Sequence, residues 1–103
     1  MATWSAVARV DDVAPGMAQV VAVGKKRIAL CNVDGDFFAV DDLCTHDDGP
    51  LGEGELVGDR IECPRHGALF DVRTGQAMSL PAVVPVSTYP VRVKDGSVEV
   101  EIE

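Results

Sequence analysis

The chain is poor in the features that mark most functional classes. Lys and Arg number 9 against 17 Asp and Glu, leaving a net charge of -8. That deficit of cations excludes a nucleic-acid or anionic-membrane partner, because like charges repel. No apolar run approaches the roughly 18–20 residues a bilayer-spanning helix needs, and the start, Met-Ala-Thr-Trp-Ser, has neither a basic nor an apolar leader region. The expectation is a cytoplasmic protein without a membrane anchor. Cysteines number 3, an odd count that argues against a disulfide scaffold. Histidines number only 2.

There is also no stretch with a sustained helical apolar stripe. The 103 residues suit one domain, and 47% apolar content excludes disorder. With Gly 10 and Pro 6, the composition favours short strands and turns. Strands are expected over 3–10, 17–23, 27–33, 36–41, 87–94 and 97–103, with shorter ones over 60–63 and 68–72. Asp34-Gly35 and Asp95-Gly96 each separate two such runs, the pattern of a type I′ hairpin. Val98, Val100 and Ile102 alternate with Glu99, Glu101 and Glu103, giving that strand one buried and one wet face. The reading is an all-β, antiparallel sandwich. The Gly-, Pro- and Asp-rich segment over about 43–81 differs from the base over about 1–42 and 82–103. It reads as a small inserted subdomain that a bound metal centre would hold together.

Both histidines lie beside two of the three cysteines. The pattern is Cys44-Thr45-His46, then 16 residues, then Cys63-Pro64-Arg65-His66. Each half offers one thiolate and one imidazole, a donor set for zinc or an iron–sulfur cluster rather than magnesium or calcium. Structural zinc modules usually pair like ligands within each half. Mixed pairs suit a cluster with two unlike irons, in which two cysteines bind one iron and two histidines the other. Cys31, within an apolar strand, reads as a core thiol, and Trp4 as an anchor of the core or of a sheet edge.

With those residues in view, the sequence resembles the Rieske family. The motif Cys44-Thr45-His46…Cys63-Pro64-Arg65-His66-Gly67, the run Cys31 to Val40, the turn Arg73-Thr74-Gly75 and the stretch from Pro81 to Tyr89-Pro90-Val91 are similar to ferredoxins of bacterial aromatic-ring-hydroxylating dioxygenase systems. The resemblance implies a Rieske fold with one [2Fe-2S] cluster held by Cys44, His46, Cys63 and His66. It implies an electron carrier without its own substrate turnover, taking electrons from an NAD(P)H-dependent flavoprotein ferredoxin reductase and passing them singly to a terminal Rieske non-heme iron oxygenase. The partner would dock at the histidines, on a rim of Pro50, Leu51, Pro64, Arg65 and Pro81. Two alternatives are the small Rieske subunit of an NADH-dependent nitrite reductase and a structural zinc module that mediates interactions.

High-potential Rieske proteins carry a serine and a tyrosine whose hydroxyls donate hydrogen bonds to sulfur. The matching positions here are Ala68 and Phe70, which have no hydroxyl. Fewer donors leave the added negative charge of reduction less stabilised. A redox titration is expected to give a potential toward the low end of the Rieske range, roughly -150 mV; a value above zero would contradict the reasoning.

Overall fold

A computed structural model describes residues 3–43, 51–64, 67–79 and 84–102. Ten strands follow in chain order: β1 (Thr3–Arg9), β2 (Ala18–Val23), β3 (Lys26–Val33), β4 (Asp36–Asp41), β5 (Leu56–Val57), β6 (Arg60–Glu62), β7 (Leu69–Asp71), β8 (Thr88–Tyr89), β9 (Val91–Lys94) and β10 (Ser97–Ile102). They form three antiparallel sheets, ordered β1-β10-β9, β2-β3-β4-β8 and β5-β6-β7.

Both expected Asp-Gly hairpins form. Asp34 and Gly35 have φ of 53° and 98°, and Asp95 and Gly96 have φ of 52° and 77°. Two successive positive φ values are what a type I′ turn requires, and Asp and Gly are among the residues that adopt them most readily. The first turn sets the register Val33↔Asp36 through Ile28↔Asp41.

The core follows from β3, which is buried on both faces from Ile28 to Val33. Its side chains alternate between two apolar clusters. Ile28 and Leu30 join Val21, Ala39, Val98 and Val100, packing the middle sheet against β10. Ala29, Cys31 and Val33 join Val40, Ile61, Phe70 and Val86, packing the same sheet against β6 and β7. A strand between two layers reads as a continuous apolar run, as 28–31 does. Cys31 is the expected core thiol; it is fully buried, and burial pushes it up to about 12. Trp4 lies on β1 under the Arg92 guanidinium, 4.3 Å from the ring centroid.

Two sequence expectations change. The run 87–94 is not one strand: Pro90 divides it into β8, which pairs with β4, and β9, which pairs with β10. Proline lacks the N–H a ladder needs, so the chain leaves one sheet there and enters the other. The second change is β5, a strand too short for alternation to reveal.

Tyr89 ties this crossing to β4. Its hydroxyl donates to Asp41 Oδ1 at 3.0 Å. Burial first, then that hydrogen bond and the carboxylate charge, raise its pKa from 10.0 to about 12. Because the folded value is the higher, the unfolded chain releases its proton first. The stabilisation is complete below pH 10.0 and is lost as pH rises toward about 12. Tyr89→Phe should therefore be less stable than the unaltered chain at neutral pH, with the gap closing through that alkaline window. Denaturant midpoints measured across it check this; a gap that does not narrow would refute it.

Candidate metal centre

Cys63, the first residue of the second predicted ligand pair, follows β6 in the β6–β7 hairpin, where Glu62 pairs with Leu69. Cys63 is 1% exposed. Its N–H donates to the Ala68 carbonyl at 2.7 Å, and its carbonyl accepts from the Gly67 N–H at 2.9 Å. These two backbone bonds tie Cys63 to Gly67 and Ala68. Pro64 is exposed. Arg65 and His66 lie outside the described residues, as do Cys44, His46, Pro50 and Pro81.

The first ligand pair falls in 44–50, and both ends of that segment are described. Asp42 stands at one end with its side chain 1% exposed. Its Oδ1 accepts from the Leu51 N–H at 2.9 Å and the Gly52 N–H at 2.6 Å, across the other end. Its Oδ2 faces Arg27 Nε at 3.3 Å. A third segment, 80–83, is bracketed by Ser79, whose hydroxyl accepts from the Leu69 N–H at 3.0 Å, and by Val86, whose N–H donates to the Gly75 carbonyl at 2.8 Å.

Donor chemistry at Cys63 suits the predicted group. The thiol is in no disulfide, and its sulfur makes no hydrogen bond among the described residues. It belongs to the apolar cluster of Leu51, Ile61, Ala68 and Phe70. A buried thiolate would be costly alone but is a good soft ligand when a metal neutralises it. Among the described residues no group of three or more His, Cys, Asp and Glu forms a rival metal site. Ala68 and Phe70, the positions without hydroxyls, are fully buried.

One predicted contact is corrected. Leu51 is 0% exposed and packs in the same cluster as Cys63, so it cannot lie on a docking rim. The Leu51 amide bound by Asp42 turns its side chain into the core. Asp42 itself was missed by sequence reasoning. A signal existed: extending the Asp34-Gly35 hairpin register one step past Ile28↔Asp41 sets Arg27 opposite Asp42. Leu43, Met78 and Val84, exposed by 36%, 37% and 54%, were missed as well. Leu43 directly precedes segment 44–50, and Met78 and Val84 lie on either side of segment 80–83.

A family model of the Rieske [2Fe-2S] domain matches residues 3–90. The chain belongs to that family. It is 46% identical over 92 residues, covering 89% of this chain and 86% of the relative, to the ferredoxin component of biphenyl 2,3-dioxygenase from Rhodococcus jostii. Its fold matches a ferredoxin of Sphingomonas yanoikuyae with a TM-score of 0.92 and 38% identity, over 98% of this chain and 100% of the other. It also matches a chain in a complex of reduced oxygenase and oxidised ferredoxin of carbazole 1,9a-dioxygenase, with a TM-score of 0.89, 43% identity and coverage of 94% and 91%.

Leu51→Ala separates the packing role from a contact role. Truncating a fully buried leucine is expected to cost about 2–5 kcal/mol, read as a lowered unfolding midpoint. An unchanged midpoint would restore Leu51 to the surface.

Proposed function

We propose that this chain is a low-potential single-electron carrier, the ferredoxin component of an aromatic-ring-hydroxylating dioxygenase system. Its donor is an NAD(P)H-dependent flavoprotein ferredoxin reductase, and its acceptor a terminal Rieske non-heme iron oxygenase. It turns over no substrate of its own and acts in the cytoplasm. The observation that carries the proposal is the buried Cys63 thiol, in no disulfide and without a hydrogen bond among the described residues, in a chain similar along nearly its whole length to dioxygenase ferredoxins. That likeness favours this reading over a nitrite reductase subunit or a zinc module.

Cys44, His46, Cys63 and His66 would hold one [2Fe-2S] cluster. When bound, the cluster supplies reversible one-electron chemistry. The chain's own residues supply the rest. The two thiolates and two imidazoles give unlike donors to the two irons. Leu51, Ala68 and Phe70 keep water from the Cys63 sulfur, and the absence of hydroxyls at positions 68 and 70 keeps the potential low. The segment over about 43–81 serves as the cluster-binding subdomain on a base of about 1–42 and 82–103. Pro50, Pro64, Arg65 and Pro81 form the docking rim, with exposed Leu43, Met78 and Val84 added and Leu51 removed. Such redox contacts are small, under about 1,200 Å². The net charge of -8 steers the protein toward basic patches on its partners and away from nucleic acid and anionic membranes.

Cys63→Ser tests the assignment. The unaltered protein should contain iron and acid-labile sulfide and absorb in the visible; the variant should lose both elements and the colour. A variant with the full visible spectrum would remove Cys63 from the ligand set, and zinc in the unaltered protein would end the electron-carrier reading.

A further inference from the structure

The segment that carries the first two ligands begins and ends on one side chain. Asp42 precedes it, and Leu51 and Gly52 follow it. The Asp42 Oδ1 atom takes hydrogen bonds from both of their amides. The carboxylate is held from behind as well. Arg27 Nε faces Oδ2 at 3.3 Å, and the Arg27 carbonyl accepts the Asp42 N–H at 3.0 Å. Arg27 remains 65% exposed while Asp42 is 1% exposed, so the arginine reaches inward from the surface to the buried acid.

Burying a carboxylate is costly unless its oxygens are satisfied. Here the partners are two amides at the far end of the ligand segment and one guanidinium on the central strand. Gly52 adds a second, independent sign. A Cβ at this position would lie 2.4 Å from Val20 Cγ2 and 3.1 Å from Asp42 Oδ1. Any side chain there would push the amide away from the carboxylate. The acid and the glycine therefore fit each other.

We propose that Asp42, braced by Arg27, is a positioning residue for the metal centre. It fixes the two ends of segment 43–50 and so holds Cys44 and His46 ready for the irons. This rests on the ligand assignment above. Pinning both ends lowers the entropy lost when the segment closes on a metal. Amide bonds to a charged acceptor are stronger than neutral ones, so the ends stay pinned as the metal charge changes. Asp42 acts through Leu51 and Gly52.

The test uses the full-length holoprotein with Asp42→Ala, Asp42→Asn and Arg27→Gln. Val98→Ala, in the other apolar cluster, is the stability control. Three quantities are read: iron release into an iron chelator, the electron paramagnetic resonance line shape of the reduced protein, and the unfolding midpoint. Outer partners of metal ligands typically change metal retention about 10–100-fold. Asp42→Ala should release iron about tenfold faster or more, with a broadened line. Asp42→Asn keeps an acceptor oxygen and should fall between, and Arg27→Gln should show the smallest effect. Val98→Ala should lower the midpoint yet release iron like the unaltered protein. If Asp42→Ala fails to fold, Asp42→Asn and Arg27→Gln carry the test. Unaltered release and line shape in those two would overturn the proposal. So would Val98→Ala releasing iron as fast as the Asp42 variants, since global stability would then explain everything. An unaltered protein without iron and sulfide would instead overturn the functional reading, and this proposal with it.

Discussion

Strand β3 has no wet face from Ile28 to Val33, and the two layers of the protein meet through it. Ile28 and Leu30 face the sheet that holds β10, while Ala29, Cys31 and Val33 face the hairpin that presents Cys63. Its first residues complete the link, because Arg27 reaches the acid that ties off the first ligand segment. A metal centre of the kind proposed needs a rigid support, and this strand supplies one. The small sheet packs with the middle sheet through one apolar cluster.

Much of this was legible in the residues. Asp34-Gly35 and Asp95-Gly96 announced their hairpins, and the alternation of Val98 and Val100 with Glu99 and Glu101 gave the inward face of β10. These signals are local: a turn and its neighbours carry enough chemistry to fix conformation. The family resemblance was legible for a similar reason, since four rare donor residues at a fixed spacing are hard to produce otherwise, and the Rieske domain match over residues 3–90 bears it out. What escaped was non-local. Pro90 marks a change of sheet only once the partners of β8 and β9 are known. Leu51 looked like a loop residue because its burial depends on the Asp42 carboxylate drawing its amide inward. Asp42 looked like one more acid in an acidic chain, although the hairpin register already set Arg27 across from it.

The acidity of the chain therefore has two uses that composition cannot separate. Asp41 and Asp42 are structural, one accepting the Tyr89 hydroxyl and the other closing the ligand segment. Asp71 also turns inward on its own loop, accepting from the Arg73 N–H at 2.8 Å. Asp59 and Glu99 are engaged as well, by Arg73 and Arg92; under the proposed function the acids left exposed serve long-range steering toward basic partner surfaces.

In the proposed site, two thiolates and two imidazoles divide between two irons. Pulsed electron paramagnetic resonance of the chemically reduced protein reads this directly, through couplings to ligand nitrogen. Two strongly coupled imidazole nitrogens on a single reduced iron are expected. A paramagnetic centre without strongly coupled nitrogen, or a reduced protein with no such centre, would contradict it.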